Sequence, residues 1–175
     1  MNYNNYPEKG IDKKIKDIQN VLNSKLGFEN VDFYGRVQRT IMSQGKLFIP
    51  TVQISNTESK TVYYDDKNAP GGSVFFIDEK KHTTKDGIVY NAKVKVVFML
   101  NLNKVITPKD YRADAEIQEE IIKLLRKTKL LEITEIEKGL NEILSEFDVS
   151  NIKKNDTQPY HIFSINGNLK YQFNC

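Results

Sequence analysis

Residues 93–103 alternate with period two. Val94, Val96, Phe98, Leu100 and Leu102 fall on one side of an extended segment, and Lys93, Lys95, Asn101 and Asn103 on the other. At its centre the second side also carries Val97 and Met99. A strand that is apolar on both faces in the middle and polar at its ends is an inner strand, covered on both sides. One cover follows directly in the chain. Thr107-Pro108-Lys109-Asp110 reads as an N-cap, a proline at the first helical position and an acid at the third, close to a capping box. Behind it Ala113, Ile117, Ile121, Leu124 and Leu125 form one stripe, so the spacing predicts a helix over 108–127. The second cover is not evident nearby, and another subunit is one source for it.

Elsewhere the period switches several times. Residues 1–9 show none; they are polar and rich in Asn and Tyr, and are expected to be an arm, frayed or ordered on a partner through Tyr3 and Tyr6. Ile11, Ile15, Ile18, Leu22 and Leu26 predict a helix over 10–26, ended by Gly27 with Phe28 packed behind it. From Val31 to Ile41 the period is two. A turn at Ser43-Gln44-Gly45-Lys46 and a second arm, Leu47–Ile54, then predict a hairpin. Pro50 cannot donate to a ladder, so its arm is expected at an edge or at a bulge. Thr61–Tyr64 is β-like, 65–72 is a loop, and Val74-Phe75-Phe76-Ile77 is a short apolar strand. Residues 78–87 are charged and end in Asp-Gly, as a solvated hairpin loop does.

After the helix at 108–127, Thr134 with Glu137 resembles a second capping box. Ile136, Leu140, Ile143, Leu144 and Phe147 continue it as a stripe, which predicts an acidic helix over 134–148. Residues 151–158 are a polar linker. Tyr160–Ile165 and Leu169–Phe173 alternate on either side of Asn166-Gly167, the strongest hairpin dipeptide, so a C-terminal hairpin is expected over 160–173. No repeat and no boundary is visible. The expected fold is one α+β domain over 10–175, behind an arm at 1–9. It has an antiparallel sheet, helices packed on one face, and protruding β-hairpins. Its long loops are 56–72 and 78–87.

Composition adds little. The 26 Lys and Arg against 23 Asp and Glu leave a net charge of +3, too slight to argue for nucleic acid. Arg occurs only at Arg36, Arg39, Arg112 and Arg126, and with abundant Lys, Asn and Ile this is the texture of an AT-rich coding genome. The single cysteine, Cys175, permits no internal disulfide and no cysteine metal cluster, which fits a reducing compartment. No apolar run approaches the ~20 residues that span a bilayer. Met1–Pro7 lacks the apolar core of a signal peptide, so synthesis in the cytoplasm without membrane association is expected.

Chemistry is harder to find. His82 and His161 lie far apart and neither sits in a metal-binding spacing. Pro70-Gly71-Gly72-Ser73 precedes a strand rather than a helix, unlike a phosphate cradle. Asp65-Asp66 and Asp78-Glu79 lack the spacing of a calcium loop, and Ser43, Ser55, Ser73 and Ser164 have no nucleophile context. No catalytic, cofactor-binding or metal-ligating residue is nominated, and a non-enzyme is expected. Lys80, Lys81 and Lys85 are nearly cancelled by Asp78, Glu79 and Asp86, and Phe33-Tyr34-Gly35-Arg36 is the only hint of a stacking platform.

Two kinds of segment invite another chain. Val74-Phe75-Phe76-Ile77 has no charge within it, and an uncharged strand edge is a template for strand addition. Phe75 and Phe76 are therefore the first interface candidates, with Tyr63 and Tyr64 next and Tyr3 and Tyr6 on the arm. The order of elements also resembles a known family. An N-terminal helix, a block of antiparallel strands, a long apolar strand running into YRADAEIQEEIIKLLRK and a terminal β segment are similar to phage tail-terminator and neck ring proteins. The Lys/Asn/Ile-rich texture resembles that of crAss-like and other Bacteroides-type phages. The resemblance covers roughly residues 10–127.

The resemblance implies a virion protein made in the host cytoplasm, forming a homo-oligomeric ring at the head–tail junction or tail-tube end. Its partners would be the portal or adaptor and other neck or tail proteins. Genomic DNA would pass through the lumen without sequence-specific binding. The acidic segment 134–148 and the long loops depart from the family pattern and leave open whether the ring is a terminator, an adaptor or a stopper. The rival readings are a small nucleic-acid-binding α+β protein and a metal-dependent enzyme of unrecognised type.

Overall fold

The computed structural model describes residues 1–5, 7–41, 48–64, 67–106, 113–150, 152 and 157–173. The apolar run at 94–100 lies inside β8 (Val89–Asn101), the middle of a seven-stranded sheet. β6 (Gly72–Asp78) pairs with it on one side and β10 (Tyr160–Gln172) on the other, both antiparallel. Both faces of its centre are buried, and they face different cores. Val94, Val96, Phe98 and Leu100 belong to one cluster, and Val97 and Met99 to the other. Beyond the end of β6, the short β7 (Thr83–Thr84) takes over that side of β8. The connecting turn is held by Asp86, whose carboxylate accepts the Ile88 and Val89 N–H groups at 2.9 Å. The expected solvated Asp-Gly hairpin is thus present.

The remaining strands continue outward. β2 (Val31–Arg36) runs parallel to β6, and β1 (Asn2–Tyr3) parallel to β2. β9 (Glu132–Lys138) is antiparallel to β10 at the opposite edge. The fold is therefore mixed α/β with a mostly antiparallel sheet. α1 (Ile11–Lys25) and α3 (Asp114–Thr128) cover the first face. Ile11, Ile15, Ile18 and Leu22 from one helix and Ile117, Ile121 and Leu125 from the other join the core there. Burying one such side chain stabilises by about 1.5–3 kcal/mol relative to leaving it in water. α1 ends where expected, with Gly27 at φ +62 and Phe28 against the core. The capping sequence at 107–110 lies outside the described residues, as do Tyr6, the turn at 43–46 and Asp65-Asp66. The short α2 (Leu102–Val105) buries Leu102, which the period-two reading had extended along the strand.

The second face has a cover from the same chain. A three-stranded sheet, β3 (Gln38–Ile41), β4 (Phe48–Gln53) and β5 (Ser59–Thr61), lies over it together with α4 (Leu140–Ile143). Helices are consequently not confined to one face. Nor is 31–41 a single strand. It breaks at Val37, whose N–H bonds Phe76 O at 2.8 Å before the chain crosses to the second sheet. The hairpin formed by 38–41 and 48–53 is as expected, but β4 is its central strand rather than an edge. Pro50 is tolerated because N and C=O of one residue point the same way along a strand. Its carbonyl accepts the Val62 N–H at 3.3 Å, beyond the end of β5, where no further ladder donor is needed.

Three larger expectations are corrected. Residues 132–138 form a strand, and the helix expected over 134–148 is reduced to α4. Ile133 and Ile136, three apart as on a helix face, share a strand face because the register slips between Asn166 and Gly167. Ile133 faces Gly167 and Ile136 faces Ile165, with one extra residue between them. The terminal hairpin is likewise absent. β10 passes straight through Asn166-Gly167 and stays in register with β8 from Tyr160–Asn101 to Gln172–Val89. At Gly167 a Cβ would lie 2.5 Å from Glu132 O, so the glycine serves close approach to β9 rather than a turn. Finally, residues 1–5 are not a free arm. The Asn5 amide donates to Arg36 O at 2.6 Å, and Gln19 donates to Tyr3 O at 3.0 Å and to Phe33 O at 2.7 Å.

Candidate functional site

The interface candidates are placed as follows. β6 is an inner strand, and Phe75 and Phe76 point to its two faces, each fully buried in a different core. Neither offers anything to a second chain, and their expected interface role is corrected. The absence of charge in that segment reflects burial on both faces rather than an open edge. Tyr63 and Tyr64 are half-buried against the second core, tied by hydroxyl bonds to Asp148 O and to Pro70 O, the latter at 2.7 Å. Burial pushes the Tyr63 phenol well above its ordinary range, with Asp148 adding to the effect. Tyr3 stacks on Tyr34 with centroids 5.0 Å apart. Lys60 reaches across from β5 to the Tyr3 hydroxyl at 2.8 Å and to Asp32 at 3.3 Å. Burial opposes the Lys60 charge, but these contacts and Tyr34 outweigh it and hold the ammonium above its usual range. This cluster fastens the small sheet and the first residues to β2.

A second ionic group closes the other end of β2. Arg36 holds Asp12 of α1 through two bonds, at 2.7 and 2.9 Å, and Asp78 of β6 at 3.1 Å. The hydrogen bonds to Asp12 raise its already high pKa further, against desolvation. His82 completes the group, with Nε2 3.1 Å from Asp78 and Nδ1 2.8 Å from the Tyr171 hydroxyl. His161 sits deeper, accepting from the Gln118 amide at 2.9 Å and stacked on Phe163. Both histidines have structural partners. Among the described residues no three His, Cys, Asp or Glu side chains gather as a metal site would require.

Two clefts open beside the second face, and both are lined by charges of both signs. In the first, about 370 Å³, Arg39 pairs with Glu146 and Lys80 lies 3.4 Å from the same carboxylate. In the second, about 520 Å³, Lys95 meets Glu137 at 2.7 Å and Lys93 meets Glu79 at 3.8 Å. Paired charges leave little net field for a ligand of either sign. Burial works against the Glu137 carboxylate, but Lys95, Asn166 and Ser164 outweigh it and hold the group below its ordinary 4.5. Its contribution to stability is therefore complete above pH 4.5 and is lost as pH falls through the lower folded value. Glu137→Gln is expected to shrink the loss of melting temperature between about pH 5 and about pH 3. An unchanged loss would mean that this carboxylate is not held.

A third hollow, about 380 Å³, lies where the start of α1 meets the end of β10, and it differs in charge. Its lining among the described residues is Gly10, Lys13, Lys14, Val89, Lys170, Tyr171 and Gln172, with no carboxylate among them. Beside it Phe173 packs edge-on against Tyr90 and Tyr171, 5.3 Å from each, yet remains 56% exposed. No sequence signal marked this group, because its lysines come from opposite ends of the chain. The Phe33-Tyr34 pair, which the sequence offered as a stacking platform, is buried.

The sheet edges complete the inventory. β9 carries Glu132, Glu135 and Lys138 and a bulge, both of which blunt an edge. β1 is only two residues long. In the small sheet β3 pairs with β4 alone among the described residues. The one charge in β3, Arg39, is turned to Glu146, and Ile41 at its end is 65% exposed. Comparison with family models, with curated proteins and with solved structures gives no match.

Proposed function

We propose that the protein is a structural subunit of a phage particle, assembling with copies of itself into a ring at the head–tail junction or tail-tube end. The observation that supports this best is the outer edge of β3. Among the described residues it is a strand edge with no unpaired charge, at the border of the small sheet that covers the second face, and it ends in an exposed isoleucine. Such an edge accepts a strand from another chain. A ring needs one patch to meet a different patch on the next copy, and β3 supplies one side of that contact. The reading also rests on the resemblance of the element order, over roughly residues 10–127, to tail-terminator and neck ring proteins. Portal, adaptor and other neck or tail proteins are the partners this reading names, with DNA passing through the lumen unread.

The purified chain is expected to sediment as a closed oligomer and to give annular particles in negative stain. Ile41→Lys, at an exposed position, should return it to a monomer that stays folded, with an unchanged far-ultraviolet circular dichroism spectrum. A parent chain that stays monomeric at high concentration would overturn the proposal.

A further inference from the structure

We propose that the hollow between α1 and β10 binds single-stranded nucleic acid, with Lys13, Lys14 and Lys170 on phosphates and a base stacked on Phe173. The argument begins with charge. The two clefts beside the second face carry carboxylates among their lysines and arginine, whereas among the described residues no carboxylate lines this one. Of the acids at this end of α1, Asp12 is engaged with Arg36 and Glu8, just before the helix, with Lys16. Asp17 lies one turn along the helix from Lys13 and Lys14 and outside the lining of the hollow. Lys13, Lys14 and Lys170 are all exposed and make no ion pair among the described residues. A concave group of free ammonium ions concentrates a polyanion.

Shape and aromatic surface select among polyanions. An acidic peptide needs only the charge. A nucleic acid also offers flat bases, and stacking of a base on an aromatic side chain tolerates any sequence. Phe173 supplies such a surface. Tyr90 and Tyr171 support it edge-on, and Gly10 lies so close that a Cβ there would sit 3.0 Å from its ring. The ring is thereby held in place while the residue stays 56% exposed, which is the condition for a stacking platform rather than a core residue. Paired bases in a duplex have no free face to offer, so the ligand is single-stranded. The volume, about 380 Å³, suits one nucleotide with its flanking phosphates. This inference is independent of ring assembly, since every residue it uses belongs to one chain.

Fluorescence anisotropy of a labelled oligothymidylate with the 175-residue chain tests it. Three neutralised phosphates give a salt slope near −2, so affinity should fall roughly twentyfold between 50 and 200 mM salt. Lys13→Glu with Lys170→Glu should weaken binding by at least about tenfold and flatten that slope. Phe173→Ala should weaken it by roughly tenfold while leaving the slope unchanged. Lys80→Glu with Lys81→Glu, in the charge-balanced cleft, should change neither. Melting temperatures of the lysine variants, read alongside, should match the parent because those side chains are exposed, and Phe173→Ala should lower it only slightly, through loss of the contacts with Tyr90 and Tyr171. No binding at 50 mM salt would overturn the proposal. So would equal affinity for duplex, equal loss in the Lys80/Lys81 variant, or displacement by a polyglutamate peptide as effective as by unlabelled oligonucleotide. Binding by a chain that never forms rings would leave this inference standing and sink only the ring.

Discussion

Phe98→Ala is expected to lower unfolding free energy by about 3–5 kcal/mol, as measured by urea denaturation. Phe98 is fully buried in the second half of β8, stacked on Phe163 of β10 at 4.8 Å with the rings 8° from parallel, and opposite Val74 of β6. Helices α1 and α3 close over that face, and neighbouring strands hold the backbone on both sides, so the site cannot collapse to fill the void. Truncation then costs both the transfer of the ring and the cavity left behind. Lys95→Ala, three residues away on the opposite face, should cost only about 1 kcal/mol, since its partner Glu137 keeps other hydrogen bonds. Phe98→Ala combined with Phe163→Ala should cost less than the sum, because the two rings share one cavity. Equal effects at Phe98 and Lys95 would mean that the faces of the strand are wrongly assigned.

Gly72→Ala should be comparably damaging, by about 2–6 kcal/mol, combining backbone strain of about 1–3 with overpacking of about 1–3. Gly72 opens β6 at φ +128, a conformation that L side chains rarely adopt. A Cβ there would lie 2.0 Å from Met99 O and 3.0 Å from Leu100 Cα. Both are backbone atoms of the strand at the centre of the sheet, so relief would have to come from moving β8 itself. Gly87 provides the comparison. It also has positive φ, at +71, but nothing lies within 4 Å of its would-be Cβ. Gly87→Ala should therefore cost only the left-handed penalty, about 1–2 kcal/mol. The same denaturation series measures both, and a Gly72 variant no worse than the Gly87 variant would remove the clash argument.

The parts of the fold legible in sequence are those where one period runs unbroken. α1 and α3 show their stripes because each lies along one face of the sheet, and β8 shows two apolar faces because both are covered. Elsewhere local pattern and tertiary role diverge. Ile133 and Ile136 sit three apart, which a helix and a bulged strand produce equally well; only the ladder with β10 decides, and that ladder is not local. Asn166-Gly167 carries turn chemistry, but the alternation on either side continues in phase across it, and full pairing with β8 outweighs the local preference. At Val37 the alternation persists while the chain changes sheets, so the pattern could not mark the break. Phe75 and Phe76 were misread for a related reason, since an uncharged short strand is equally the mark of an edge and of a strand buried on both faces. The lysine-lined hollow was invisible because its members meet only when α1 lies across the end of β10.

The sheet order also governs when the domain can form. β9 is synthesised before β10 yet lies outside it, and among the described strands it pairs only with β10. β8 must likewise wait for β10, with α3, β9 and α4 made in between. A chain emerging from the ribosome can close β6 on β8 as an antiparallel pair, but one flank of β8 stays open until the last strand arrives. β9 has no place to dock before that moment. Such late, long-range pairing raises contact order and slows folding, and it leaves apolar strand surface uncovered meanwhile. Completion of this sheet is therefore a single late event, in which β10 inserts between two strands already made.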